Sequence, residues 1–412
     1  MTKTAVFKAI RVATAVALVS GALAVHAADS LRPEVGKPLQ SAQSLIKAQK
    51  YKDALAKVRE ADAVGSKSSY ETLTVDRMRL AAAAGAGDLD TATKAFESLN
   101  TSGRLSQAEK LSYLESIAGT AYRARDYAKA KQWGQRYLSE GGTSASIRAV
   151  VAQTDFLAGD YATVLKSVTA EIQAAEKNKV APSEDRIKLL LSAATKLNDN
   201  ERYVYGIEKL LTYYPKKQYW GELITHLKAK PQFGDRLALD TYRLALATDS
   251  LNGADDYVEM AQLAAQAGYP AEGKQVVDKG YALGVLGTGP DAARHKRLRD
   301  LLAKRVGDDR AAWAETEAKA RGASDGNTLV QLGFNQVLNG EAGKGVGLIQ
   351  EGIGKSGDQY IQSAKLRLGI AQALSGNSAN ANATFRSISG RDGVADLARL
   401  WSLYVRGKSN AA

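Results

Sequence analysis

The chain has 412 residues, of which 45% are hydrophobic and 24% are charged, and its formal net charge at pH 7 is +12. This composition can bury a large core and argues against intrinsic disorder. The chain contains no cysteine, which excludes disulfides, thiol catalysis, cysteine-based zinc sites and lipid attachment at a cleavage-site cysteine.

The first 27 residues have the pattern of a secretory signal. Lys3, Lys8 and Arg11 precede an apolar run over 12–25 that is short for a membrane span. Small residues near Ala27 predict cleavage after that residue, and a retained membrane anchor is the alternative. The signal has a bacterial form, so we predict a free periplasmic protein.

The mature chain stays basic, because the signal contains three cations and no acid. A positive periplasmic surface suits peripheral contact with anionic lipid headgroups or cell-wall polymer. The alternative is an ordinary solvated helical surface, since the two signs of charge are mixed along the chain. Nucleic acid is not an expected partner for an exported protein.

Apolar residues recur at helical spacing through the mature chain, and turn residues interrupt them about every fifteen positions. The interruptions share a frame: a turn pair, an aromatic or apolar residue, a small residue three positions on and often a large one four positions later. The frames begin at Gln49-Lys50-Tyr51, Gly87-Asp88-Leu89, Arg125-Asp126-Tyr127, Gly159-Asp160-Tyr161, Gly340-Glu341-Ala342 and Gly376-Asn377-Ser378.

The frame predicts pairs of antiparallel helices in close contact. Ala54, Ala92, Ala130 and Ala381 fit where the second helix crosses the first, and Phe96 and Phe385 fit the gap to the next unit. The matching small residues on first helices are Ala42, Ala118, Ala152, Gly333 and Gly369. Glycine before the turn can adopt the left-handed conformation that ends a helix, and Asp88, Asp126 and Asp160 can cap the next helix.

This frame resembles the tetratricopeptide repeat, whose unit has about 34 residues. The resemblance is clear over 35–172 and 326–390 and weaker between, where Tyr203 replaces the small residue and 216–250 lacks a turn motif. It implies an all-α, right-handed superhelical solenoid of helix–turn–helix repeats. We predict N-terminal repeats over 28–250 and C-terminal repeats over 251–412, ending in a capping helix near 395–405.

A narrower resemblance lies in the middle and at the end of the chain. The run Tyr213-Tyr214-Pro215-Lys216-Lys217-Gln218-Tyr219-Trp220 is similar to a signature of periplasmic repeat proteins that accompany TonB–ExbB–ExbD systems. Gly268-Tyr269-Pro270 and Leu368-Gly369-Ile370-Ala371 are similar to later parts of that group. The resemblance implies protein–protein contacts that assist TonB-dependent energy transduction or uptake.

Ordinary repeat packing is the alternative interpretation of the same residues. Pro215 would then stop a helix, and Tyr219 and Trp220 would fill the seam to the next one.

Two glycine clusters imitate nucleotide-binding loops. The segment 268–274 has phosphate-loop spacing, but Gln275 stands where a Ser or Thr should bind magnesium, and the preceding segment has helical periodicity. Gly352 to Gly357 fits the dinucleotide pattern but also follows a helical stretch. The second cluster is better interpreted as a loop that ends a helix.

The candidate catalytic and metal-binding patterns in the sequence are incomplete. His226 and His295 have no second ligand at metal-binding spacing. Ser44 with Lys47 lacks the companion motifs of a serine acylase. The pairs Asp255-Asp256 and Asp308-Asp309 resemble acids at helix starts or in loops. We therefore predict no enzyme activity, no cofactor and no metal.

We predict a protein-binding scaffold for an envelope complex, with components of the TonB, ExbB and ExbD system as candidate partners. The alternatives are a periplasmic chaperone or assembly factor for outer-membrane or secreted components, and a cell-wall enzyme or its accessory. A lytic transglycosylase would need a catalytic domain after about 389, and only one helix remains there. The predicted groove, which is lined by first helices, contains Gln43, Lys47, Arg77, Tyr122, Arg123, Gln153, Phe156, Lys188, Lys196, Gln262, Phe334 and Arg367.

Overall fold

The computed structural model describes residues 30–411, so the predicted signal at 1–27 lies outside the described residues. The described part is all-helical and contains no strand. It forms two compact units that divide between Asp199 and Asn200. The predicted division at 250/251 differs, because helices between 200 and 250 pack with helices near the end of the chain. The prediction of an all-α fold of packed helix pairs is confirmed.

Unit 1 (30–199) contains four helix pairs and a final helix. They are α1 (Pro33–Lys47), α2 (Tyr51–Asp62), α3 (Ser69–Ala86), α4 (Leu89–Thr101), α5 (Gln107–Arg123), α6 (Tyr127–Ser139), α7 (Ala145–Leu157), α8 (Tyr161–Lys177) and α9 (Glu184–Leu197). No helix among the described residues of either unit is both long and apolar enough to cross a membrane.

The turns inside these pairs have the predicted chemistry. The side chains of Asp88, Asp126 and Asp160 cap α4, α6 and α8, each accepting a hydrogen bond from the backbone N–H three residues on. Gly87 and Gly159 precede two of these caps with φ of +80° and +81°. Such values favour glycine, which carries no Cβ to clash with the backbone. The caps and turns therefore fix where each second helix begins.

Small residues form the helix crossings as predicted. Ala54, Ala92 and Ala130 on second helices are fully buried, as are Ala42 and Ala118 on first helices. The larger Phe96 is also fully buried, and its ring meets Trp133 of the next pair edge-on at 5.7 Å. Small side chains at the crossing and a large one between pairs together fill the core of unit 1.

A carboxylate joins the first two pairs of unit 1. Glu71 forms a capping box with Ser68 at the start of α3. It also accepts hydrogen bonds from the backbone N–H and the Nε of Arg32, at 3.0 and 2.9 Å. The hydrogen bond from the Arg32 guanidinium, followed by those from the backbone of Ser68 and Arg32, lowers the pKa of Glu71 to about 2. The group is thus ionised at neutral pH and holds the start of α1 against the start of α3.

Unit 2 (200–411) contains eleven helices and a short 3-10 turn at Asp235–Leu237. The helices are α10 (Asn200–Tyr213), α11 (Lys217–Lys228), α12 (Ala238–Ala247), α13 (Gly253–Gln266), α14 (Pro270–Ala282), α15 (Ala292–Gly322), α16 (Asn327–Leu338), α17 (Ala342–Lys355), α18 (Asp358–Leu374), α19 (Ser378–Arg386) and α20 (Val394–Ala411). The capping helix predicted near 395–405 is α20.

Helices α16 and α17 approach each other at four glycines. A Cβ on Gly333 would lie 2.5 Å from the carbonyl oxygen of Gly345, and a Cβ on Gly345 would lie 2.4 Å from that of Gly333. Gly326, just before α16, and Gly352 make a second contact of this kind about two turns away. The two backbones therefore touch where a side chain would separate them.

The 31-residue helix α15 departs from the repeat pattern. Asp308 and Asp309, predicted to lie at a helix start or in a loop, instead lie inside α15, where Asp309 accepts a hydrogen bond from Trp313 Nε1 at 2.9 Å. This contact joins two successive turns of the helix. The other pair, Asp255 and Asp256, lies in the first turn of α13 as predicted.

The first and last helices of unit 2 contact each other. The carboxylate of Asp396 on α20 accepts a hydrogen bond from Lys230 Nζ at 2.6 Å, just after α11. Arg399 pairs with Glu208 of α10. The backbone N–H of Gly234 donates to the carbonyl of Asp392 at 2.9 Å. Repeat spacing did not predict this closure.

Pro215 and the aromatic residues after it have a packing role, as the alternative interpretation predicted. Helix α10 ends before Pro215, and Tyr219 and Trp220 are buried on α11. The ring of Trp220 meets that of Tyr404 on α20 at 6.2 Å. These aromatic side chains therefore belong to the core where the two ends of unit 2 meet.

A buried ion cluster joins α12 to α14 and α16. Arg243 is 4% exposed and donates to both carboxylate oxygens of Glu272, at 2.7 and 2.6 Å, and to Asp240 at 2.5 Å. Its guanidinium lies 4.7 Å from the ring centre of Tyr269 and 4.4 Å from that of Phe334. The two neighbouring carboxylates outweigh burial and raise the pKa of Arg243 above its ordinary value.

Candidate protein-binding surface

The first helices of unit 1 form a continuous layer. Helices α1, α3, α5, α7 and α9 each contact the next first helix, more extensively than any two successive second helices contact each other. One hydrogen bond within the layer runs from Thr120 Oγ1 on α5 to the carbonyl of Ala84 on α3, at 3.2 Å. We call these five helices the first-helix layer. Their side chains that face away from the second helices share one surface.

Nine predicted groove residues lie on the first-helix layer, and none is buried. Three are exposed and six are partly exposed. The exposed residues are Lys47, Arg123 and Lys196, and the partly exposed residues are Gln43, Arg77, Tyr122, Gln153, Phe156 and Lys188. Their contact with a partner stays a prediction.

The cations of the layer differ in how they are neutralised. Arg77 Nη2 on α3 pairs with Glu109 of α5 at 3.0 Å, and Lys188 pairs with Glu184 of its own helix at 2.9 Å. Arg123 donates from Nη2 to Thr120 Oγ1 at 2.9 Å. Within residues 30–411, no carboxylate lies within 4.0 Å of Lys47 or Lys196. Among the predicted groove cations, Lys47, Arg123 and Lys196 are therefore the most available to an incoming acid.

Aromatic pairs lie at the turn side of the layer. Tyr122 meets Tyr127 edge-on at 5.8 Å, and Phe156 meets Tyr161 at 5.1 Å. Each pair joins the last turn of a first helix to the first residue of the second helix. Desolvation by burial raises the pKa of Tyr122, so its hydroxyl stays protonated at neutral pH. The pairs present rigid aromatic surface of the kind that anchors protein interfaces.

Sequence reasoning missed three exposed residues with large apolar side chains at helix ends of unit 1. Tyr127 is 37% exposed, Leu157 is 51% exposed and Leu197 is 45% exposed. Leu157 and Leu197 each end a first helix, and Tyr127 begins a second helix. Tyrosine recurs at that first position in the frames, so the frame itself carried the signal for Tyr127.

The three predicted residues in unit 2 have different surroundings. Gln262 on α13 is partly exposed. Arg367 on α18 lies with Nη2 3.9 Å from Asp240 Oδ2 of the buried ion cluster. Phe334 is fully buried beneath Arg243 and beside Tyr269, so the expectation that it faces a partner is corrected. The Arg243 side chain of α12 and the ring of Tyr269 cover Phe334 on the face of α16 that spacing alone assigned to a groove.

The motifs set aside at the sequence level have packing roles. His226 lies against the ring of Tyr203 at 4.4 Å, and buried His295 accepts a hydrogen bond at Nδ1 from the N–H of Gly287 at 3.2 Å. Gly268 forms a turn with φ of +78°, and Gly273 packs its backbone against the carbonyl of Ala261. Within 30–411, no three His, Asp or Glu side chains are grouped so that they could hold a metal ion.

No family model matches the sequence, and no curated protein matches it. Solved structures with some likeness include yeast Tom70, with a TM-score of 0.24, 10% identity, and coverage of 91% of this chain and 96% of that one. The TPR domain of P58(IPK) has a TM-score of 0.22 and 12% identity, covering 92% and 99%. Naa15/Naa10 bound to HypK has a TM-score of 0.26 and 16% identity, with coverage of 88% of this chain and 64% of that one. At these scores the fold assignment depends on the helix pairs described above.

Proposed function

We propose that this chain is a non-catalytic scaffold that binds another protein through the first-helix layer of unit 1. The observation that carries the proposal is the continuity of that layer over five helices, with exposed cations and aromatic side chains along it. Helical-repeat arrays use such extended surfaces to bind a peptide or a partner helix. The exposed Lys47, Arg123 and Lys196 favour a partner segment that carries carboxylates.

The first test is a charge reversal on this layer. We expect the Lys47→Glu/Arg123→Glu/Lys196→Glu variant to recover at least about tenfold less partner after crosslinking in cells and purification, because three cations that attract the partner become acids. Arg77 is not changed, because a glutamate at position 77 would face Glu109 and disturb the cap of α5.

The matched control reverses Lys52, Lys94 and Lys166, which are exposed on the second helices α2, α4 and α8. It has the same charge change and should recover partner as the wild type does. Equal loss from both variants, or no specific partner for the wild type, would contradict the proposal. Recovery of many weakly bound clients would favour the chaperone alternative.

We also propose that the protein works in the periplasm. The support is the basic and apolar pattern of the first 27 residues and the absence of cysteine. Protein recovered from the periplasmic fraction should begin at Ala28 when its N-terminus is measured by mass spectrometry. An intact Met1 in a membrane fraction would support a retained anchor instead.

Within the periplasm, we propose an envelope complex of the TonB type as the partner. Support comes only from the short resemblances near Trp220, Tyr269 and Gly369, whose aromatic members are used in packing. The crosslinking experiment should recover ExbB, ExbD or TonB components with the wild type. The charge-reversed variant should lose them. Reproducible recovery of a different partner would leave the scaffold proposal standing and contradict the TonB-type partner.

A further inference from the structure

Helix α15 is largely uncovered. Its 31 residues extend for about 46 Å at 1.5 Å per residue. Only His295, Leu302, Trp313 and Ala320 are buried, and they mark the side that packs against the neighbouring helices of unit 2. Elsewhere among the described residues, a stretch of this length forms two helices that pack against each other. The remaining sides of α15 are therefore presented to solvent.

One exposed side of α15 carries a run of cations that we call the basic stripe. It consists of Arg294, Arg297, Lys304 and Arg305, with Leu301 between them. Steps of three, four, three and one residues place these positions on one side of a helix. All five are exposed, and Leu301 is 46% exposed. Asp308, one turn further on, ends the stripe.

The cations of the basic stripe lack the neutralisation found elsewhere on the same helix. Within 30–411, none of the four has a carboxylate within 4.0 Å. By contrast, Lys296 pairs with Asp300 at 2.6 Å, Arg299 with Asp278 at 2.8 Å and Lys319 with Glu315 at 2.5 Å. The local sequence thus supplies acids to Lys296, Arg299 and Lys319 and leaves this stripe with unbalanced charge.

We propose that the basic stripe is a second docking surface, which binds an acidic segment of another protein. Three of its four cations are arginines, whose planar forks pair with carboxylates through two parallel hydrogen bonds. Leu301 in the middle offers one apolar contact to a segment whose acids flank an apolar side chain. A bilayer is the poorer fit, because interfacial helices bury a wide apolar face and the stripe exposes a single leucine.

The experiment measures binding of a fluorescein-labelled peptide of glutamate, alanine and leucine, about twelve residues long, to the full chain by fluorescence anisotropy. We expect saturable binding at low salt that weakens as salt is raised, and no binding of the same peptide with glutamine in place of glutamate. The variant Arg294→Gln/Arg297→Gln/Lys304→Gln/Arg305→Gln should bind at least about tenfold more weakly.

The matched control removes four other cations of α15, through Lys296→Gln/Arg310→Gln/Lys319→Gln/Arg321→Gln, and should bind as the wild type does. Circular dichroism should show both variants folded, since the substituted residues are exposed. Wild-type affinity in the stripe variant, or an equal loss in both variants, would overturn the proposal. So would binding to vesicles with 30% phosphatidylglycerol but not to the peptide. The Lys47→Glu/Arg123→Glu/Lys196→Glu variant, assayed with the same peptide, measures any binding by the first-helix layer, so the two proposals are judged separately.

Discussion

The Arg243→Met variant is expected to lose about 3–5 kcal/mol of the unfolding free energy of unit 2, because the change leaves Glu272 buried without its cation and Asp240 with only the more distant Arg367. Glu272 and Asp240 are 4% and 1% exposed, so water cannot replace the guanidinium. The methionine also loses the contacts with the rings of Tyr269 and Phe334. Denaturant unfolding followed by circular dichroism measures the loss.

Arg299→Met is the matched control for this change. Arg299 also pairs with an aspartate, Asp278, and lies 4.7 Å from the ring centre of Tyr281, but its side chain is 46% exposed. Solvent screens such a pair, so we expect a loss below about 1 kcal/mol. If Arg243→Met proved as mild as Arg299→Met, the buried ion cluster would not stabilise unit 2 as described.

The Gly333→Ala variant is expected to lose about 2–3 kcal/mol, because its Cβ would lie 2.5 Å from the carbonyl oxygen of Gly345. Backbone cannot rotate away as a side chain can, so α16 and α17 must separate along their contact. The thermal midpoint of unit 2 should fall, and the change can be followed by circular dichroism.

Two other glycines of α17 provide the control for this prediction. Gly343 and Gly347 would have no atom within 4 Å of an added Cβ. Alanine at either position should leave stability unchanged or raise it by about 0.5–1 kcal/mol, since it stiffens the unfolded chain and favours the helix. Destabilisation by all three substitutions would mean that the close approach of α16 and α17 is not the cause.

The local elements could be predicted because their signals lie within a few residues of one another. The turn pair at Gly87-Asp88 contains both the helix stop and the next cap, and Ala92 marks the crossing three residues on from Leu89. The same frame placed the second helices of unit 1 at Tyr51, Leu89, Tyr127 and Tyr161, where the structure has them.

Features that join distant parts of the chain could not be predicted in this way. Phe334 has the spacing of a groove residue, yet the side chain of Arg243, 91 positions earlier on α12, covers it. Asp308-Asp309 has the pattern of a helix start or a loop, but both residues lie inside α15, where Asp309 accepts a hydrogen bond from Trp313. Spacing identifies a face of a helix; it does not identify which later or earlier segment will cover that face.

The closure of unit 2 also affects the order in which it can fold. Helix pairs such as α16 and α17 can form as soon as they are synthesised, but the Arg399–Glu208 contact spans 191 residues and the Lys230–Asp396 contact spans 166. Closing so long a segment is entropically costly and slow. Until α20 has been made, the indole of Trp220 lacks the ring of Tyr404, and a nascent chain pausing at this stage would be open to aggregation or to chaperone binding.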